Sequence, residues 1–404
     1  MEKNQLRQII VDQQSSFSQE ELIDREIDLR PYLIGNEIVI ISGIRRCGKS
    51  SLLKILAKKY EKKLYINFDD IRFVGFSQDN FHHIYEIAIE LFNENPTYFL
   101  DEIQNIPNWE RWANNLNDKE IKVYITGSNS SLLSSEISTY LTGRNKVIRL
   151  FPFSFKEYLK LKNIPLSKTS EGKSLTFRGF QNYLETGGFP LVIKNNDMGL
   201  SKNYFEDILN KDILARYNIR QADEIKTLAL YLFTNSGSIY SYSKLKEITK
   251  IKSLSTIKNY IDYFRNTYLL YTIDRFDYSV AKQKISSSKV YAGDISFLKT
   301  VSFSFSQNLG KRLENLVFLD LIRKGNVVYY YLDKKECDFV IKDGLKISQA
   351  IQVCKNSDSI REIEGLKQAM SKYKLKEGLI LTFDEEKQIG NIKIMPIWKW
   401  LLGI

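Results

Sequence analysis

Gly43 and Gly48 enclose four residues, and Lys49, Ser50 and Ser51 follow at once, in the order Gly43-Ile44-Arg45-Arg46-Cys47-Gly48-Lys49-Ser50-Ser51. That is the spacing of a phosphate-binding loop. The backbone N–H groups of residues 44–49 can wrap a phosphate, and a helix starting at Lys49 adds the positive end of its dipole. In such a loop Lys49 reaches the β- and γ-phosphates of ATP and Ser50 ligates Mg2+. The loop acts through its backbone, so Arg45 and Arg46 do not disqualify it. Cys47 adjoins the anion site, where a helix end can lower a thiol pKa; an inert small side chain is the plainer reading.

A second pair of groups, Asp101-Glu102, closes "TYFLDE". Asp101 would hold Mg2+ through water and Glu102 would polarise the attacking water. Two carboxylates at the end of an apolar strand are costly to bury without a cation. An exposed acid pair at a strand end is the bland alternative. In "ITGSNS", Ser128 is the candidate to position the lytic water, with Asn129 second; a strand-to-helix turn with an N-cap competes. Asp69 and Asp70 follow "KLYINF" and either touch the Mg2+ water or cap a loop, the loop being favoured.

These residues need strands that end side by side. "EIVIISG" is apolar throughout, as a buried parallel strand is. "KSSLLKILAKKY" has helical spacing of Leu52, Leu53 and Leu56. The strands "KLYIN", "TYFL" and "IKVYITG" follow in order. An α/β unit with a parallel sheet is expected, its loops gathered at one edge.

The ordered set of phosphate loop, "FLDEIQ", "ITGSNS" and "YLTGRNKVIRLFPFSFKEYL" resembles the AAA-superfamily (AAA+) ATPases of bacteria and archaea. More narrowly, it is similar to their branch with a C-terminal extension of unknown function. The resemblance implies a homo-oligomer, a hexameric ring, in which Arg144 is the arginine finger for a neighbouring subunit's γ-phosphate; a surface or salt-bridging arginine is the alternative. "FRGFQNYLETGGFPLVIKN" resembles the lid segment of the same family, with Gly187-Gly188 and Pro190 breaking a helix.

Residues 237–279 read helix, turn, helix, strand, the order of a winged helix-turn-helix. Ser243 can cap the first helix and Ser253 or Ser255 the second, which would bury Ile257, Tyr260, Ile261 and Phe264. Ser255, Thr256, Lys258 and Asn259 would face a DNA groove, while Lys246, Lys250, Lys252 and Lys258 contact phosphates. Winged helices also serve as packing modules, and that reading stays open.

The tail, from "KRLENLVFLDLIRKG" to "ISQAIQVCKN", resembles the PD-(D/E)XK nuclease fold, with Glu314 on a helix and Asp338 on a strand. That fold's chemistry needs acids to hold a divalent metal and a lysine to help activate water. Here Gln352-Val353-Cys354 replaces the E-x-K strand, and Lys355, one residue late, falls on the opposite face. No nuclease activity is expected, with Glu314 and Asp338 kept as structural polar groups. "IMPIWKWLLGI" reads as a last strand and helix.

The domain order is therefore a helical segment (1–37), an ATPase core (38–165), a helical lid (166–235), a winged helix (236–285) and a nuclease-like domain (286–404). Charge is unevenly spread along this order. Residues 1–155 carry 19 Lys+Arg against 21 Asp+Glu, and residues 156–404 carry 40 against 27. A basic C-terminal part suits a polyanion, although Lys-rich solubility would look the same. Three scattered cysteines argue against a disulfide framework. With no signal-peptide pattern in its first residues and no long apolar run, a cytoplasmic chain off the membrane is expected. Two functions follow: an ATP-driven oligomer that remodels or translocates DNA, or a nucleotide-dependent switch or scaffold that recruits a protein partner.

Overall fold

The strands predicted around the phosphate loop share one parallel sheet. In the computed structural model, which describes residues 1–17, 22–128, 143–301, 309–357 and 360–404, the chain forms two units, Met1–Phe151 and Pro152–Ile404. The first unit runs α1 (Lys3–Ser16), α2 (Arg30–Leu33), β1 (Ile38–Ser42), α3 (Lys49–Ala57), β2 (Lys63–Asn67), α4 (Asn80–Phe92), β3 (Thr97–Asp101), α5 (Trp109–Asp118), β4 (Val123–Gly127) and β5 (Asn145–Arg149).

The sheet order is β2-β3-β4-β1-β5. Every neighbouring pair is parallel. β1 and β4 are buried along their whole length, as strands covered on both faces must be. Ser42 lies level with Gly127, and Asn67 with Asp101. The C-terminal ends of β1, β3 and β4 therefore meet at one edge, where open parallel sheets carry their ligands.

The N-terminal segment is part of this unit rather than a separate piece. Leu6, Ile9 and Ile10 of α1 join the core of the sheet. Gln13 exchanges side-chain hydrogen bonds with the backbone of Asn67 (2.9 and 3.2 Å), and Gln14 Nε2 donates to Tyr65 O at 3.1 Å. α1 thus covers β2, an edge strand whose open backbone groups need partners.

The second unit opens with helices α6 (Phe155–Leu161), α7 (Ser170–Thr186), α8 (Pro190–Asn195), α9 (Met198–Asp207), a π-helical turn (Ile208–Ala215) and α10 (Ala222–Thr234). Phe153 N donates to Gly188 O at 2.7 Å and Tyr183 Oη to Phe153 O at 2.6 Å. Those bonds draw "PFSF" into the second unit, so the division falls at Phe151/Pro152, ahead of the boundary at 165 expected from the sequence. Gly188 N also donates to Asp294 Oδ2 at 2.9 Å, which fixes the helix-breaking glycine pair.

Next come β6 (Ile239–Tyr240), α11 (Tyr242–Thr249), α12 (Leu254–Asn266), β7 (Leu270–Asp274), α13 (Val280–Ile285), β8 (Ser288–Ala292) and α14 (Phe297–Thr300). β6, β8 and β7 form a three-stranded antiparallel sheet in that order. The expected buried face of α12, Ile257, Tyr260, Ile261 and Phe264, is the one found. Ser253 caps α12, accepting from Ser255 N. The cap of α11 is Ser241, not Ser243, because Ser241 is the last extended residue and accepts from Lys244 N.

The tail contains α15 (Leu309–Arg323), β9 (Val327–Leu332), β10 (Glu336–Asp343), β11 (Lys346–Val353), α16 (Ile360–Tyr373), β12 (Gly378–Thr382), β13 (Lys387–Ile389), β14 (Ile392–Pro396) and α17 (Ile397–Leu402). Its sheet has the order β13-β14-β12-β11-β10-β9. β9, β10 and β11 are antiparallel, and β12 joins β11 in parallel after the α16 crossover. Cys337, Val340, Ala350, Leu366, Ala369 and Ile380 pack between α16 and this sheet. The last strand and helix stand where "IMPIWKWLLGI" placed them.

Candidate nucleotide site and a buried ionic centre

Two glycines shape the loop. A Cβ on Gly43 would lie 2.1 Å from Leu150 O, so a side chain there would break the approach of β1 to the residue after β5. Gly48 holds φ at 100°, a left-handed conformation that costs other residues about 1–2 kcal/mol. It also begins α3 with no side-chain cap. The first amides of α3 are therefore left to an anion at the positive end of the helix. Lys49 is 4% exposed, and its Nζ donates to Gly43 O (3.1 Å) and Ile44 O (3.2 Å). The ammonium is thus folded back into the loop's own mouth.

Arg46 is exposed and Arg45 half-buried, while Ile44 and Cys47 are buried. Cys47 fits the plainer of its two readings, an inert small side chain. Burial pushes its thiol pKa up, and the nearby charges of Lys49 and Arg25 only partly counter this. The helix end does not activate a thiol that faces the core, where its Sγ lies 3.5 Å from Leu150 O.

Asp101 ends β3 and is 2% exposed. Tyr65 Oη donates to its Oδ2 at 2.9 Å, and Thr126 Oγ1 donates to its Oδ1. Burial raises the Asp101 pKa first and the Glu102 charge second, against hydrogen bonds from Thr126, Ser50 and Tyr65. The Ser50 contact joins the two halves of the site. A buried carboxylate beside a hydroxyl, with a second acid next to it, is a donor set suited to a hard cation. Ser50 and Asp101 are therefore chemically suited to a hard divalent cation.

Glu102 is half-buried and stands at φ 51°. Such strain in a residue other than glycine gathers at functional sites. Its N–H donates to Thr126 Oγ1 at 3.0 Å, and Gln104 Nε2 donates to its carboxylate. Thr126 thus holds both acids at once. Neither Thr126 nor Tyr65 was singled out in the sequence. Tyr65 sits inside an apolar strand where alternation hides its partner, and Thr126 was only part of a polar strand end. Ser128 lies just past β4, 2% exposed. Asn129 is outside the described residues. Asp70 caps the turn at Ile71–Phe73 and pairs with Arg72 at 2.8 Å. That is the loop role favoured for it.

Arg144 stands at the other end of the sheet. Its carbonyl accepts from Ile38 N at 2.8 Å, at the start of β1, and its guanidinium pairs with Asp118 and with Asn114 (2.9 Å). The length of β1, roughly 16 Å at the usual rise per residue, separates it from the loop. Arg144 therefore cannot serve the phosphate loop of its own chain.

Residues 35–159 match the AAA domain family (AAA_14), and residues 177–308 match a domain of unknown function, DUF8612. The chain is 34% identical to the uncharacterized protein MJ1544 of Methanocaldococcus jannaschii over 98% of its own length and 94% of that protein's. It belongs to the family of MJ1544. An uncharacterized protein of Haemophilus influenzae is 28% identical over 90% of this chain and 94% of its own. The N-terminal unit is a P-loop AAA-type ATPase domain. Two solved structures overlap loosely: AMPPCP-bound DnaA from Aquifex aeolicus (19% identity, 59% of this chain, 85% of that chain, TM-score 0.29) and the RuvB Holliday junction branch migration motor of Thermotoga maritima (13%, 68%, 90%, TM-score 0.30). At such TM-scores the likeness carries no functional weight.

The second unit presents the residues expected to meet nucleic acid. Lys246, Lys250, Lys252, Ser255, Lys258 and Asn259 are all exposed on α11, α12 and the turn between them. Lys258 Nζ also lies 5.3 Å from the centre of the Tyr242 ring.

Deeper in this unit, Glu314 of α15 and Asp338 of β10 meet around a group not singled out in the sequence. Lys289 of β8 is fully buried, with Nζ 3.0 Å from Glu314 Oε1, 3.0 Å from Asp338 Oδ1 and ion-paired with Glu336. Burial alone pulls the Lys289 pKa down, but the three carboxylates with Tyr291 outweigh it and hold it well above its ordinary value. Burial, then the Asp338 charge, push Glu314 up to about 7. Lys289 had no signal in the sequence, since it belongs to a different sheet from the acids it meets. No described helix is long and apolar enough to cross a membrane.

Proposed function

We propose that this chain is an ATP-hydrolysing oligomeric machine that binds and remodels or translocates DNA, with a nuclease-like tail that does not cut. Lys49 and the loop amides bind the triphosphate, Ser50 and Asp101 hold Mg2+, Glu102 acts as base and Ser128 positions the water. Mg2+ would supply charge neutralisation at the phosphates. Arg144, out of reach of its own loop, would serve a neighbour in a ring, a hexamer by the resemblance. The helices of residues 166–235 take the part of the lid.

The observation that carries the DNA reading is the exposed face of α11 and α12. A helix-turn-helix followed by two antiparallel strands is the order of a winged helix, and the lysines and polar groups of that face surround the start of its second helix. This is where a winged helix reads a groove and touches phosphates. For the tail, the order α15-β9-β10-β11-α16-β12 supports the nuclease-like fold. Its centre lacks the E-x-K strand: Gln352 Oε1 accepts from Asp338 N at 3.1 Å, and its amide nitrogen donates to Glu362.

The deciding measurement is the rate of ATP turnover with and without duplex, single-stranded and branched DNA. At least one DNA should stimulate turnover, and its binding should weaken steeply with salt. ATP-dependent assembly with no DNA response would replace this reading with that of a switch or scaffold for a protein partner.

A further inference from the structure

The centre around Lys289 gathers charge from three elements. Lys289 comes from β8 of the three-stranded sheet, Glu314 from α15, and Glu336 and Asp338 from β10 of the six-stranded sheet. The remaining acceptor sites are partly taken. Tyr291 Oη donates to Glu314 Oε1 at 2.7 Å and Val353 N to Asp338 Oδ2 at 3.0 Å. The Lys289 side chain is 1% exposed, so water does not share the ammonium's three donors.

The spacing is that of an ammonium. Its N···O distances of 3.0 Å to Glu314 and Asp338 are hydrogen-bond lengths. Mg2+ holds oxygens at about 2.0–2.1 Å and Ca2+ at about 2.3–2.6 Å. Among the described residues, no set of three or more His, Cys, Asp or Glu is arranged to hold a metal ion. Three ionisable acids left together in a buried place repel one another unless a cation sits among them.

We propose that the Lys289 ammonium is the resident cation of this centre, seated where a nuclease of this strand order carries its divalent metal, and that it clasps the three-stranded sheet to the six-stranded one. The inference rests on the nuclease-like reading of the tail and not on DNA as partner. Gln352 stands where an acid of the third strand is expected, and Lys289 supplies positive charge among the acids that are present. The acids are kept for the clasp, and the centre needs no metal to stay folded. Because β8 also pairs with β6 and β7, this side chain adds an ionic tie between the α11–α12 region and the tail, beside backbone links such as Phe276 N to Tyr330 O at 2.9 Å.

The test uses the full nucleotide-free chain and Mn2+ as the probe, with melting followed by calorimetry and bound Mn2+ counted by electron paramagnetic resonance. In the parent protein, neither Mn2+ nor a chelator should move the melting of the C-terminal unit. Lys289→Met should lower that melting temperature by about 10 °C, the scale of a broken buried pair. It should also bind one Mn2+ more than the parent, and Mn2+ should restore most of the loss by binding the folded state. Lys289→Met/Glu314→Gln should lose both the extra ion and the Mn2+ response. Should Lys289→Met not fold alone, soluble folded protein must appear when Mn2+ is present. A folded Lys289→Met with no extra ion, a parent that responds equally to Mn2+, or a variant insoluble with and without Mn2+ each overturns the proposal. DNA-stimulated turnover in the parent protein is read separately, so failure here leaves the reading of the motor intact.

Discussion

At the scale of single residues, the nucleotide site divides its labour among groups with different surroundings. Lys49 is parked on two carbonyls of its own loop, which it would exchange for phosphate oxygens in the proposed role. Asp101 is buried and anchored by Tyr65 and Thr126. Glu102, a base candidate, is half-buried and kept in a left-handed turn beside it. Lys49→Ala should therefore abolish nucleotide binding or turnover. Glu102→Gln should keep binding yet lose about 100-fold or more in turnover, the usual worth of a general base, and trap an ATP-bound assembly. Turnover rate and retained nucleotide measured on the same samples check both. Normal hydrolysis by Glu102→Gln would remove it from the role of base. Thr126→Val tests the positioning of the acids: its hydroxyl holds Asp101 and the Glu102 amide together, so kcat should fall while ATP affinity, set by the loop, changes little.

At the scale of elements, a helix start and a strand end do most of the work. α3 begins on Gly48 without a side-chain cap, so its free amides and dipole face the loop. In the second unit, α12 buries one face in its own domain and leaves Lys258 and Asn259 outside. Removing Lys250 and Lys258 together (Lys250→Ala/Lys258→Ala) should weaken DNA binding without altering the DNA-independent ATPase. The slope of log affinity against log salt should fall by about 2, one for each lost phosphate contact. An unchanged slope would make this surface a packing module.

At the scale of the whole molecule, the arginine question turns on assembly. Arg144 lies a strand's length from its own phosphate loop, so any role in turnover is played in a neighbouring copy. Arg144→Ala should bind ATP but hydrolyse it about 10³-fold more slowly, the lower end for an arginine finger. Mixing Arg144→Ala with Lys49→Ala should restore turnover above either variant alone, since each supplies what the other lacks. Full activity of Arg144→Ala in a proven monomer would leave Arg144 as the partner of Asp118 alone.

The sequence by itself determined the local chemistry of this protein. A phosphate loop is contiguous: its glycines, Lys49 and Ser50 lie within nine residues of chain, and their backbone geometry follows from their order. The strand before it, the acid pair ending β3 and the buried face of α12 were legible for the same reason, since periodicity and spacing act along the chain. Groups brought together from different elements were not legible. Tyr65 and Thr126 touch Asp101 only because β2, β3 and β4 lie side by side in register. Cys47 looked exposed to the helix dipole along the chain, yet tertiary packing buried it and raised its pKa. Lys289 belongs to one sheet and its three carboxylates to another sheet and a helix. Only the tertiary structure could place an ammonium there, because the long-range attraction between those charges acts once desolvation has enclosed them together.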